Sequence, residues 1–113
     1  MPKLQPTRHT LMLADELEKL GVHVKLEHWD GHKHIDIFIP EAKISLEIDG
    51  LRHYTNPQQI IADFHRDYFS NKGEIFVKHI PNELIETHVK EIATAIATVV
   101  TITLTKTVQN VLA

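Results

Sequence analysis

Three acidic residues occur at spacings that suit metal-ion chemistry. Asp36, Glu47 and Asp49 lie in two stretches, 32–39 and 42–49, that alternate polar and apolar residues as β-strands do. Because successive strand side chains point to opposite faces, the acids share one face and the isoleucines and leucines occupy the other. Strand amphipathicity alone does not require so acidic a polar face. The sequence therefore predicts a cluster of carboxylates on a hairpin.

Two turn positions bring Asp36 and Glu47 to the same face. A turn centred on Pro40 and Glu41 sets Asp36 opposite Ser45, whereas a turn one residue further along sets Asp36 directly opposite Glu47. Both registers have the same parity, so the two acids share a face in either case. Clustered carboxylates repel one another unless a cation offsets their charge. Hard oxygen ligands favour Mg²⁺ or Mn²⁺ as that cation.

The rest of the chain predicts the elements that position this hairpin. A helix capped by Thr10 runs to about Leu20, and the Asp30-Gly31 turn joins a strand over 22–29 to the strand over 32–39. A second helix, opened by Asn56 and Pro57, ends at Gly73; a strand over 74–80 and a third helix from Asn82 follow. The order α-β-β-β-α-β-α predicts an α/β fold with a mixed sheet flanked by helices.

The C-terminal segment, residues 98–113, has a different pattern. Valine, isoleucine or leucine alternates with threonine over 98–108, which predicts a strand, with a continued helix as the alternative. Such an amphipathic segment is hard to leave solvated in a small domain. We therefore expect one domain over 1–113, with its core at about 10–97 and a terminal segment that packs against a second copy in a homodimer.

Composition limits the remaining function classes. The 113 residues include 42% hydrophobic and 24% charged residues, no cysteine, and a net charge of −3. These values indicate a cytoplasmic protein without disulfides or thiolate metal sites. We find no signal-peptide core and no apolar run that predicts a membrane span. The acidic balance disfavours a sequence-blind DNA coat, but it is compatible with a carboxylate-rich nuclease site.

A family resemblance rests on these residues and on two downstream features. His34-Ile35-Asp36-Ile37-Phe38, then Ile44-Ser45-Leu46-Glu47-Ile48-Asp49-Gly50, then His53, resemble the PD-(D/E)XK nuclease superfamily. The closest branch is similar to very-short-patch-repair endonucleases, whose Asp-x-x-Arg helix is matched by Asp63-Phe64-His65-Arg66. The resemblance covers about residues 22–80. It implies a restriction-endonuclease-like fold and a metal-dependent endonuclease that hydrolyses DNA.

The resemblance also implies roles for individual residues. Asp36 and Glu47 become metal ligands, with the Ile48 carbonyl and Asp49 as further candidates. Asp49 departs from the superfamily pattern, which usually has lysine at that position. Another group must therefore activate water, and His53 is the leading candidate because histidine titrates near neutral pH.

Weaker assignments concern the surroundings of the site. Lys33, Arg52 and Arg66 are candidates for nucleic-acid contact, and Glu16 on the first helix is a candidate supporting acid. Arg66 has a competing and slightly favoured interpretation as a local i, i+3 ion pair with Asp63. Because no separate recognition domain is evident, a partner protein could supply specificity.

Other functions compete with the nuclease interpretation. A catalytically degenerate module could keep the fold and bind nucleic acid or a protein, as the missing lysine and acidic charge suggest. An oligomerising structural protein driven by the C-terminal segment is a third hypothesis. A zinc site at His28, His32 and His34 is disfavoured because alternating strand histidines are usually surface residues and no fourth ligand is evident.

Overall fold

A computed structural model describes residues 5–50 and 56–112 of the chain. Its elements follow the predicted order. They are α1 (Arg8–Lys19), β1 (Lys25–Trp29), β2 (His34–Ile39), β3 (Ile44–Asp49), α2 (Pro57–Ser70), β4 (Phe76–Pro81) and α3 (Asn82–Leu112). The α/β class is therefore confirmed.

The four strands form one mixed sheet in the order β1-β2-β3-β4. The first three are antiparallel neighbours, as their short connections require, and β4 returns through α2 to lie parallel to β3. The β1–β2 connection is closed by Asp30, whose carboxylate accepts the N–H groups of His32 and Lys33 at 2.7 and 2.8 Å. These two hydrogen bonds lower the pKa of Asp30.

The β2–β3 pairing selects one of the two predicted registers. Ile37 pairs with Leu46 and Ile39 pairs with Ile44, which is the arrangement of the later turn. The register that sets Asp36 opposite Ser45 is therefore wrong. The turn that gives the observed register extends to Lys43, whose backbone is left-handed (φ 54°). This conformation is uncommon for a residue other than glycine, so the sequence gives little sign of it.

The core lies on one face of the sheet, and all three helices pack against that face. The predicted isoleucine and leucine faces of β2 and β3 are buried there except at Ile48, which is partly buried, and Leu13 and Leu17 of α1, Phe64 of α2 and Ile96 of α3 pack with them. Tyr68 of α2 also donates to the Ala42 carbonyl at 2.7 Å, which ties the helix to the β2–β3 turn. No described helix covers the opposite face of the sheet, which we call the open face.

Two helix termini differ from the prediction. Helix α1 begins at Arg8, and its cap is Thr7, whose hydroxyl accepts the Thr10 N–H at 3.2 Å. Thr10 itself is buried within the helix. Helix α2 has the predicted cap, Asn56, but it ends at Ser70, before Gly73.

The C-terminal segment is helical, so the predicted strand over 98–108 is wrong and the alternative of a continued helix is confirmed. Helix α3 has non-helical angles at His88 (φ −138°, ψ 30°) and then continues to Leu112. Its buried residues Ile92, Ile96 and Val99 recur at helical spacing, and burial of this stripe outweighs the β-propensity of the valines and threonines. Thr98 and Thr107 donate to carbonyls four residues earlier.

Among the described residues, α3 is the one helix long and apolar enough to cross a membrane. This conclusion rests on length and composition only, and it differs from the expectation that no apolar run reaches such a length. Core helices of soluble proteins meet the same criterion, and the first half of α3 contributes buried residues to the core.

Candidate functional site

Asp36 and Glu47 meet on the open face of the sheet. The pairing of Ile37 with Leu46, extended by one residue, sets Asp36 opposite Glu47 on the neighbouring strand. Their Cβ atoms are then about 5 Å apart, the spacing of directly opposed strand residues. Both side chains are half-buried, and Glu47 is only 16% exposed. The two acids singled out from the sequence are therefore neighbours.

Asp36 also organises the backbone of β3. Its Oδ2 accepts the Ile48 N–H at 2.7 Å, at the point beyond Leu46 where the β2–β3 pairs end. The carboxylate thus supplies an acceptor to a strand amide. The N–H and C=O of a strand residue point toward the same neighbouring strand. The Ile48 carbonyl is therefore directed toward the side on which Asp36 lies.

Glu47 has an incompletely satisfied oxygen. Its Oε1 is shielded from solvent and accepts no hydrogen bond from any described group. The Lys33 ammonium lies 3.2 Å from this atom, close enough for an ion pair although it does not form a hydrogen bond. Lys33 is 60% exposed, so water weakens the attraction. A shielded carboxylate oxygen that no described residue hydrogen-bonds is a candidate ligand for a hard cation.

Glu27 is a third acid of this site that the sequence analysis missed. The β1–β2 register sets it opposite Asp36, between the pairs Leu26–Ile37 and His28–Ile35. Burial raises the pKa of Glu27, the charges of Asp36 and Glu47 raise it further, and His34 opposes them. Glu27 was missed because its place beside Asp36 depends on the pairing of β1 with β2, and its left-handed backbone (φ 47°) interrupts the regular strand pattern.

Asp49 and Gly50 form the end of β3 beside the start of α3. Asp49 is in register with Pro81 and shares the face of Glu47. Gly50 lies against Asn82, since a Cβ added at this glycine would be 2.9 Å from the Asn82 amide nitrogen. This atom is at the end of a flexible side chain that can move, so the contact constrains Gly50 only weakly. The predicted residues Arg52 and His53 lie outside the described part of the chain.

The remaining predicted residues lie on the helices that pack on the other face. Arg66 pairs with Asp63 at 3.1 Å and with Asp67 at 3.6 Å, both on its own helix. This geometry is that of the local ion pair. Glu16 pairs with Lys19 one turn further along α1. No described contact joins either Glu16 or Arg66 to the open-face acids.

The donor set fits a cation that retains much of its water. Within residues 5–50 and 56–112, no three histidine, aspartate or glutamate side chains are grouped as a metal cage. Mg²⁺ is commonly held by one or two carboxylates plus waters, without such a cage. Asp36, the unsatisfied oxygen of Glu47 and the Ile48 carbonyl match that pattern in number and chemistry. The fit is thus to Mg²⁺ or Mn²⁺, and the residues suit neither a thiolate nor a multi-histidine zinc site.

Comparisons of this chain with protein-family models, with curated proteins and with solved structures found no match. The resemblance to PD-(D/E)XK nucleases therefore stays a prediction based on the residues quoted above.

Proposed function

We propose that this chain is a metal-dependent endonuclease that hydrolyses phosphodiester bonds in DNA and has a restriction-endonuclease-like fold. One observation carries the proposal. Asp36 and Glu47 face each other on adjacent strands, and a shielded oxygen of Glu47 accepts no hydrogen bond within the described part of the chain, although the Lys33 ammonium lies 3.2 Å from it. The element order α-β-β-β-α-β-α supports it, because the motif acids lie on the second and third strands, as the resemblance implies.

The two carboxylates would hold Mg²⁺ or Mn²⁺, with the Ile48 carbonyl beside them. Such an ion, when bound, polarises a phosphate oxygen and lowers the pKa of a coordinated water. Asp36 contributes orientation as well as charge, because its bond to the Ile48 N–H fixes the carboxylate relative to β3. Asp49, at the position usually held by lysine, is a further candidate ligand.

Lys33 has two roles in this proposal. Its ammonium balances Glu47 in the structure described here, at 3.2 Å. A cation bound by Glu47 would weaken that pair and release an exposed, flexible ammonium at the edge of the site. Lys33 can then contact a phosphate of the DNA backbone. The proton-transfer role is proposed for His53, on the basis of its place in the motif.

A degenerate module that binds nucleic acid or protein without cleaving is the second candidate. The Lys33–Glu47 ion pair favours it, because an internal ammonium already balances the carboxylate that would bind the cation. The substitution of Asp49 for the usual lysine points the same way. The two hypotheses differ in whether divalent metal and the acid pair produce cleavage.

A cleavage assay separates the two candidates. Wild-type protein is incubated with single-stranded, duplex and supercoiled DNA, in Mg²⁺, in Mn²⁺ and in chelator. We expect metal-dependent cleavage that Asp36→Asn and Glu47→Gln each abolish. Asp15→Asn is the matched control, since Asp15 is an exposed acid on α1 that pairs with Lys19. Cleavage that survives chelator, or survives both site variants, would contradict the proposal. No cleavage of any substrate would favour the degenerate module.

A further inference from the structure

The single tryptophan of the chain lies beside the candidate site. Trp29 is the last residue of β1, in register with His34 of β2. Its side chain is 49% exposed, although tryptophan is among the largest apolar side chains. Its ring centroid lies 5.0 Å from that of His34, with the ring planes tilted by 56°. These two rings form an aromatic pair at the end of the open face, which we call the Trp29 platform.

The Trp29 platform is close to the acid pair along the strand. His34 precedes Asp36 by two residues on β2, so both side chains point to the open face about 7 Å apart. Trp29 lies across the ladder from His34. A DNA strand with a phosphate at Asp36 and Glu47 would therefore bring a neighbouring base within reach of the platform.

Lys33 is a cation beside the platform, whereas the acids Glu27, Asp36 and Glu47 on the same face would repel a DNA strand unless a divalent cation offsets their charge. Lys33 precedes His34 and is 60% exposed, whereas Lys25 lies at the other end of β1, in register with Phe38. The nearby acid Asp30 points into the hairpin, where it accepts two backbone N–H groups. Aromatic rings flanked by cations are the usual means of binding unpaired bases and their backbone. A protein partner would instead require a wider apolar patch, whereas the neighbours of Trp29 in the chain, His28 and Asp30, and its partner across the ladder, His34, are polar.

We propose that the Trp29 platform stacks an unpaired base, so that the preferred substrate is single-stranded or locally opened DNA. The inference rests on the proposed function, which gives the path of the DNA strand past the acids. The physical reason is access: a base inside a duplex is stacked on both sides, and only an unpaired base presents a free face to an aromatic ring. The platform would position the strand, while the acid pair would act on the phosphate.

Tryptophan fluorescence tests the platform directly, because Trp29 is the one emitting tryptophan. A short oligo(dT) and its duplex with oligo(dA) are titrated into the protein in chelator and in Mg²⁺. We expect oligo(dT) to quench the emission and the duplex to quench it weakly. Equal quenching by the duplex, or no quenching by oligo(dT), would overturn the inference. An emission that changes with protein concentration in the absence of DNA would assign the surface to a second copy instead.

Variants separate stacking from general binding. Anisotropy of labelled oligo(dT) should show Trp29→Ala weakening binding roughly 5- to 150-fold, the equivalent of the ~1–3 kcal/mol that stacking contributes per base. Trp29→Phe should retain most of the affinity. Phe69→Ala is the matched control, because Phe69 is an exposed aromatic residue on α2, away from the open face. Circular dichroism checks that each variant folds, and unchanged binding by a folded Trp29→Ala protein would contradict stacking.

The inference and the proposed function fail in different ways. Asp36→Asn and Glu47→Gln should bind oligo(dT) in chelator at least as tightly as the wild type, because each removes a negative charge beside the strand and Glu47→Gln also releases Lys33. Binding that depends on Trp29 without any cleavage would contradict the nuclease proposal and leave the platform standing. Cleavage of oligo(dT) at the wild-type rate by Trp29→Ala would support the nuclease and overturn the platform.

Discussion

Substitution of Glu27 by glutamine should stabilise the protein in the absence of metal. Glu27 is opposite Asp36 in the sheet; burial is the largest cause of its raised pKa, and the charges of Asp36 and Glu47 raise the pKa further. Glutamine keeps the size and the hydrogen-bonding capacity of the side chain but removes the charge. The left-handed backbone at this position (φ 47°) disfavours both residues similarly, so the substitution isolates the electrostatic contribution.

The size of the effect follows from the strand geometry. Directly opposed charged pairs on a sheet change stability by roughly 0.2–1 kcal/mol, and like charges destabilise. Asp36 is directly opposite, Glu47 is one strand further away, and the Glu27 side chain is partly in water, which weakens both repulsions. We expect a gain in the free energy of unfolding of about 0.5–1 kcal/mol. In a domain of this size that corresponds to a rise in Tm of roughly 2–5 °C.

The gain should depend on pH in a defined direction. The folded-state pKa of Glu27 is raised above its ordinary value of 4.5. Below that value Glu27 is protonated in both the folded and the unfolded protein, so it does not lower the free energy of unfolding. As the pH rises through the folded pKa, the wild type loses stability that the glutamine variant keeps. The two proteins should therefore have equal stability at low pH and differ at neutral pH.

Urea unfolding of both proteins in chelator, at pH 7 and below pH 4, measures this difference. Glu18→Gln serves as a control, because Glu18 is an exposed acid on α1. A glutamine variant that is less stable than the wild type at pH 7, or a gain that persists below pH 4, would refute the argument that charge repulsion is responsible.

Three further predictions follow from other parts of the chain. Gly50→Ala should lower the free energy of unfolding by no more than about 0.5 kcal/mol, because the atom that its Cβ would meet at 2.9 Å is the terminal amide of the flexible Asn82 side chain, which can turn away; a loss of several kcal/mol in urea melts would contradict this. Leu104 and Val108 are exposed apolar residues one turn apart on α3. Light scattering at tens of micromolar should therefore show a homodimer, and Val108→Glu should disrupt it; a monomeric wild type would contradict this prediction. Cleavage should rise through about pH 6.5, and His53→Ala should lose it, whereas an equally active variant would move the proton transfer to another group.

Local patterns predicted most of the sheet. Alternation over 32–39 and 42–49 identified the isoleucine and leucine face that contacts the core, although Ile48 at its end is only partly buried and Ser45 on the other face is also buried. The Asn56 cap followed by Pro57 likewise marked the start of α2. These features depend on nearby residues alone, so a single sequence contains the information.

Other features depended on long-range contacts or uncommon conformations. The β2–β3 register is set by a left-handed Lys43, which propensities do not predict. The alternating threonines of residues 98–108 favour a strand in isolation, yet they continue a helix that the burial of Ile92 and Ile96 has already established. Glu27 joins the acids through pairing with β2, which neither the strand nor the motif reveals alone.

The most direct test of the proposed metal site is the Tm of the wild type measured in Mg²⁺, in Mn²⁺ and in chelator. A metal that binds only the folded site stabilises by mass action, by about 2.7 kcal/mol at a concentration 100 times its Kd. We expect the wild type to melt at a higher temperature with either metal, and Asp36→Asn and Glu47→Gln to melt at temperatures that the metals do not change. A wild-type Tm that is the same in metal and in chelator would contradict a metal site at Asp36 and Glu47.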